Sequence, residues 1–167
     1  ALHYVFDAPN DKIVYDISHQ SYPHKILTGR KAGFFDDNEM DRISGYSSPL
    51  ESPEYDNFEI GHTSTSVALA AGLMKGRDIQ GGKENVIAVI GDGSLSGGEA
   101  FEGLNIVGEL GTNAIVVVND NDMSIAENHG GLYKHLRELR ESNGACAQNY
   151  FRTLGLDYTY LEEGNDV

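Results

Sequence analysis

Apolar positions in this chain fall into short blocks that alternate between two periods. The run Val86-Ile87-Ala88-Val89-Ile90 is apolar at every position and is bounded by polar residues and glycine. That is how a strand covered on both faces reads. Residues 114–118, Ala-Ile-Val-Val-Val, repeat the pattern as a second buried strand, and 12–16 gives another strand. Between them, 63–75 predicts a buried, Ala-rich helix with Thr63 or Ser64 near its N-cap. Residues 98–110 predict a helix with Phe101, Leu104, Val107 and Leu110 at helical spacing. Residues 132–140 read as a charged amphipathic helix, 157–161 as a last strand, and 1–6 as the final turns of a helix.

Strands alternating with helices predict an α/β fold, a doubly wound and mostly parallel sheet with helices on both faces. Its connections should be right-handed crossovers. No repeat and no Ser/Pro/Gly linker divides the chain, so 1–167 is read as one domain, expected to be incomplete at both ends. In such sheets ligands bind at the carboxyl ends of the strands, so the segments that follow the strands carry the functional information.

Composition narrows the classes. Twelve Lys+Arg against 26 Asp+Glu give a formal net charge of −14. That charge argues against a nucleic-acid surface, which needs a basic stripe, and against docking on anionic lipid. No apolar run approaches the roughly 20 residues of a membrane span. The first residues lack a leader pattern, which points to the cytoplasm. The single cysteine, Cys146, reads as a lone reduced thiol. Glycine is in excess, 20 residues in 167, and clusters in short motifs as tight turns near a ligand do.

One pair of segments carries the chemistry. Gly91-Asp92-Gly93-Ser94 follows the strand 86–90, and Asn119-Asp120-Asn121 follows the strand 114–118. Neighbouring parallel strands lie about 4.8 Å apart and point the same way, so Asp92 and Asn121 can converge. A carboxylate and an amide oxygen suit a hard cation such as Mg²⁺, which completes its shell with water and phosphate oxygens. A competing dinucleotide reading rests on Gly91-x-Gly93 with Gly97 and Gly98. Against it, Asp92 would repel a bare pyrophosphate, and where the fingerprint expects its acidic residue about 20 positions on, at the end of the next strand, this chain reads Asn-Asp-Asn. Taken singly, Gly-Asp-Gly is a tight turn and Asn-Asp-Asn a polar loop. Both together, each after a buried strand, favour the metal.

The Gly91-Asp92-Gly93 and Asn119-Asp120-Asn121 pair resembles the thiamine diphosphate signature of transketolase-like enzymes. Two further stretches resemble the 1-deoxy-D-xylulose-5-phosphate synthase family within them: 18–30, Ser-His-Gln-Ser-Tyr-Pro-His-Lys-Ile-Leu-Thr-Gly-Arg, and 61–66, Gly-His-Thr-Ser-Thr-Ser. Residues 121–128 resemble the segment following that family's metal asparagine. The resemblance covers nearly the whole chain. It implies Mg²⁺ ligation by Asp92, the Asn121 side chain and the Met123 carbonyl. It implies that Gly93 and Ser94 hold the diphosphate through backbone N–H groups. Gly61, His62, Thr63 and His19 would contact the cofactor, and His19 and His62 would be catalytic, steering protons on substrate oxygens.

The activity implied is condensation of pyruvate with glyceraldehyde 3-phosphate and release of CO₂, by a homodimeric transferase feeding isoprenoid and thiamine biosynthesis. The family's activating glutamate lies in a following domain, so this chain alone is expected to be inactive. Two other readings stand beside it: another transketolase-like ketol transferase, and a cofactor-binding module without chemistry. Transketolase proper carries Gly-Pro-Leu-Gly-Gln-Gly where this chain has 61–66, which disfavours the first.

The remaining polar residues read more plainly. His3, His129 and His135 are read as surface or core groups, and 36–39 as a solvated acidic face. His24 and Lys25 either meet a substrate phosphate or decorate a helix. Departures from the family are Ser18 in place of glycine, a loop 45–50 lacking a basic residue, and Asn165 where a histidine is usual.

Overall fold

The computed structural model describes residues 1–123 and 126–164. The Ser18 side chain, Ser124, Ile125 and Asn165, all noted above, lie outside the described residues. In chain order the elements are α1 (Leu2–Val5), β1 (Lys12–Tyr15), α2 (Tyr22–Lys25), α3 (Ala32–Phe35), α4 (Ser66–Gln80), β2 (Val86–Gly91), α5 (Asp92–Leu95), α6 (Gly98–Leu110), β3 (Ile115–Asn119), α7 (Gly131–Glu141) and α8 (Tyr150–Thr153).

The described strands form one parallel sheet in the order β1-β2-β3. Tyr15 pairs with Val89, and Gly91 with Asn119, so the carboxyl ends of all three strands lie on one edge. Alternation along each strand divides the core. Val14, Val86, Ala88 and Ile90 face α4 and α6, while Ile13, Tyr15, Ile87 and Val89 face Leu2, Phe6 and Ala8 from the start of the chain. Helices thus lie against both faces, long ones on the first and the short α1 segment on the second. Each large aliphatic side chain so buried contributes roughly 1.5–3 kcal/mol relative to exposure.

Several expectations shift. α4 begins at Ser66, not Thr63, because Ser64 takes a left-handed backbone (φ 74°) and interrupts the helical path. Its buried seam, Val67-Ala70-Ala71-Met74, has i, i+3, i+4, i+7 spacing. It ends at Gly81, whose φ of 73° is the left-handed stop that glycine adopts without a Cβ penalty. In α6 the buried seam is Ala100-Gly103-Leu104-Val107, which keeps the predicted Leu104 and Val107, with Leu110 half-buried against the core. Phe101 instead meets the edge of Tyr150, with ring centroids 5.7 Å apart. The two seams pack closely: a Cβ on Gly103 would lie 2.7 Å from the Ala68 amide nitrogen. β3 was expected to be buried, yet Ile115 to Val118 are only half-buried, because β2 is its sole described strand neighbour. Residues 157–161 form no strand; Tyr158 instead stacks on Phe151 at 5.5 Å. The acidic stretch 36–38 is exposed, as expected.

Candidate functional site

The site is built from what leaves the carboxyl edge of the sheet. β1 is followed by Asp16 and then by a 3₁₀ turn, Ser18–Ser21, that carries His19 and Gln20. β2 is followed directly by Asp92, Gly93 and Ser94 in α5. β3 is followed by Asp120, Asn121, Asp122 and Met123. The loop 61–64 precedes α4 but is drawn to the same edge, since the Ser64 and Ser66 N–H groups donate to the Asp16 carboxylate at 2.8 and 3.0 Å. Every residue singled out from the sequence for cofactor or metal therefore belongs to a segment reaching this edge.

Asp92 is 2% exposed, and its Oδ2 accepts from the Asn128 amide at 2.7 Å. Burial first, and then the nearby Asp120 carboxylate, push its pKa above the ordinary aspartate value. Asp120 itself is paired with Arg140 of α7 at 2.6 Å, and Arg140 also reaches Asp122 at 3.0 Å. Asn121 is exposed, and its Oδ1 accepts the Met123 N–H at 3.1 Å. Met123 is exposed as well. Among the described residues no three His, Cys, Asp or Glu side chains cluster as a cation site. The set expected from the sequence draws instead on one carboxylate, one amide oxygen and one backbone carbonyl.

The turn 93–97 is tightly made. Ser94 is buried, and its carbonyl accepts the Ser64 hydroxyl at 2.6 Å. The Gly93 carbonyl accepts from Ser96 Oγ at 3.1 Å and from the Tyr133 hydroxyl at 3.2 Å. A Cβ at Gly97 would overlap the Ser64 side chain, and one at Gly91 would lie 3.2 Å from Gln20 Nε2. Glycine is needed there for close approach. Among the described residues, buried Gln20 Oε1 has no hydrogen-bond partner.

Both candidate catalytic histidines are exposed, as is Gly61. His62 Nδ1 lies 2.7 Å from the Thr63 carbonyl. A carbonyl only accepts, so Nδ1 carries a proton, and Nε2 is the nitrogen left to exchange one.

His24 and Lys25 correct the sequence reading: they neither face a phosphate site nor decorate a surface. Both are buried, with His24 Nε2 2.8 Å from Asp56 Oδ1 and Lys25 Nζ 2.7 Å from Glu51 Oε2. Arg30 joins Asp56 through both terminal nitrogens, at 2.6 and 3.1 Å. The cluster pins the 18–30 segment onto the loop 44–60, and so fixes the path of the chain into 61–64. His3 and His135 have the ordinary roles expected, His3 beside His24 and His135 accepting the Tyr150 N–H. His129 is exposed.

The sequence reading missed Asp16, Gln20, Asn128 and Tyr133. Asp16 had a usable signal, a carboxylate directly after a strand of a parallel sheet. Asn128 stood in the 121–128 stretch but without a role, and Tyr133 had no signal, because their contacts come from residues 36 and 40 positions away.

Comparison with known proteins adds an independent finding. The family model described as 1-deoxy-D-xylulose-5-phosphate synthase matches residues 1–166. Proteins of that name are similar to this chain in Desulforudis audaxviator (55% identical over 140 residues), Dictyoglomus turgidum (51% over 141) and Pseudomonas savastanoi (49% over 142). These alignments cover 84%, 84% and 85% of this chain but 22%, 23% and 22% of the relatives. The chain thus spans less than a quarter of the length of the curated relatives it matches. With the match running through the strand-end segments as well as the helices between them, the chain belongs to the 1-deoxy-D-xylulose-5-phosphate synthase family.

Proposed function

We propose that residues 1–167 form the thiamine diphosphate- and Mg²⁺-binding domain, incomplete at both ends, of a transketolase-type transferase. The whole enzyme condenses pyruvate with glyceraldehyde 3-phosphate, releases CO₂ and gives 1-deoxy-D-xylulose 5-phosphate. Such an enzyme works as a homodimer in the cytoplasm and supplies isoprenoid and thiamine biosynthesis. Among the described residues no helix is long and apolar enough to cross a membrane.

One observation carries the reading: the Asp92 turn, the 119–123 loop and the 61–64 loop reach a single edge of a parallel sheet. The residues there fit the proposed groups. Asp92 is a buried carboxylate facing an amide and a second carboxylate, a repulsion that a hard cation relieves. Gln20 Oε1 is a buried acceptor with no hydrogen-bond partner among the described residues. Asp92, the Asn121 oxygen and the Met123 carbonyl would hold Mg²⁺, and the Gly93 and Ser94 N–H groups the diphosphate. His19, Gly61, His62 and Thr63 would line the rest of the cofactor. The bound cofactor supplies the electron sink for breaking and making carbon–carbon bonds. The chain supplies position and proton control: His62, fixed by its bond to the Thr63 carbonyl, presents Nε2 for proton exchange with substrate oxygens, and His19 serves the same need from the 3₁₀ turn.

The test is calorimetric titration of the full-length protein with thiamine diphosphate, with and without Mg²⁺. Binding that requires the metal and is lost in Asp92→Asn is expected. Binding indifferent to the metal would overturn the assignment.

A further inference from the structure

Asp16 holds a place that the proposed reaction leaves unexplained. It is fully buried at the end of β1, with its own N–H donating to the Val89 carbonyl of β2 at 2.9 Å. Its two carboxylate oxygens each accept one backbone N–H, from Ser64 at 2.8 Å and Ser66 at 3.0 Å, across 48 and 50 residues of sequence. No side chain of α4's own N-cap, Thr65, performs this task. A charged acceptor at the start of a 15-residue helix is favoured by the helix dipole and by the unpaired first N–H groups. The carboxylate does more than cap, however. It holds Ser64 in a left-handed conformation that a non-glycine residue adopts at a cost. In that conformation the Ser64 hydroxyl reaches the Ser94 carbonyl at 2.6 Å, and the Ser64 side chain packs against Gly97, where a Cβ would overlap it.

We infer that Asp16 is a positioning residue for the cofactor site. It acts through Ser64 to lock the loop 61–64 onto the Asp92–Ser94 turn, so that the parts proposed to grip the two ends of the cofactor keep a fixed separation. This rests on the reading of the site given above. The inference accounts together for the buried carboxylate at the end of β1, the left-handed serine and the glycine at 97.

The experiment is a double-mutant cycle in the full-length protein. Dissociation constants for thiamine diphosphate with Mg²⁺ are measured for wild type, Asp16→Asn, Ser64→Ala and the double variant, well below each unfolding midpoint. Arg77→Met serves as a destabilised control, since Arg77 bonds the Glu84 and Asn113 carbonyls at the opposite end of the sheet. Asp16→Asn should weaken binding about ten- to a hundredfold, as small misplacements of a preorganised site do. The double variant should be no weaker than the worse single one, and Arg77→Met should bind as wild type. Additive losses, or normal binding by folded Asp16→Asn, would overturn the positioning role while leaving the cofactor site standing. Absence of metal-dependent binding by wild type would remove both. If Asp16→Asn does not fold, Ser64→Ala decides: unchanged affinity refutes the role, and a tenfold or greater loss supports it.

Discussion

His24 Nε2 lies 2.8 Å from Asp56 Oδ1, with each side chain only 1% exposed. Arg30 and the Ser48 N–H complete the shell of the carboxylate. Removing one member weakens the others: Asp56→Ala leaves the buried imidazole without its Nε2 partner and the nearly buried guanidinium with only Thr28 and a 3.5 Å contact to Glu51. Breaking such a cluster costs about 3–5 kcal/mol. Urea unfolding should show a lowered midpoint at unchanged slope.

The same cluster sets the acid limit. Burial alone would raise the Asp56 pKa, but hydrogen bonds from His24, Arg30 and the Ser48 N–H hold it far below the usual carboxylate range. Glu51 is lowered too, with burial again opposed by Lys25 and Ser44. A carboxyl depressed in the folded state contributes stability above its unfolded pKa of about 4, and loses it as pH falls toward the folded value. Thermal midpoints should therefore be flat at neutral pH and fall below about pH 4. Asp56→Asn should start lower and fall less steeply. An acid limb equally steep in that variant would assign the loss to other groups.

Gly103 marks the closest approach of α4 and α6. A Cβ there meets the Ala68 nitrogen at 2.7 Å and the Val67 carbonyl carbon at 3.0 Å, both backbone atoms that cannot rotate aside. Gly103→Ala should cost about 1–3 kcal/mol by overpacking, even though alanine is the better helix former. A variant at least as stable as wild type would show that the helices separate freely.

Arg77 anchors the opposite end of the sheet. Its guanidinium donates to the Glu84 and Asn113 carbonyls at 3.0 and 2.8 Å and to Thr112 Oγ1 at 2.6 Å, tying α4 to the entries of β2 and β3. Hydrogen bonds from a charged group contribute roughly 1.5–3 kcal/mol each. Arg77→Met should lower the unfolding midpoint clearly and leave cofactor affinity unchanged, as calorimetry and denaturant titration together can check.

His62→Ala tests proton control. If Nε2 exchanges protons with substrate, turnover of the full-length enzyme should fall about 10²–10⁴-fold, with a much smaller change in the KM for pyruvate. A rise in KM at constant kcat would make His62 a binding group only.

Most of the elements were legible because their signals are local. Val86 to Ile90 is apolar throughout and lies between α4 and the start of the chain, so periodicity and structure agree. α6 was placed at its full length, 98–110, with Leu104 and Val107 rightly on its buried face and Phe101 wrongly so. Phe101 drew attention by size, whereas the seam uses Ala100 and Gly103 because only small residues let α4 approach. β3 looked fully buried by composition, yet among the described residues only β2 flanks it in the sheet. His24 and Lys25 were unreadable, because polar residues in a helix look alike whether they meet solvent, ligand or a buried counter-charge.

The sequence by itself determined the alternation of strand and helix, the segments that follow β2 and β3, and the family motifs, since each is written in contiguous residues. Tertiary structure decided which distant groups meet: Asp16 with Ser64, Asp92 with Asn128, His24 with Asp56. Those pairings depend on the crossover of parallel strands and on loop closures of 32 to 48 residues. Hydrogen-bond geometry over such separations is set by the packed fold, not by any local preference of the chain.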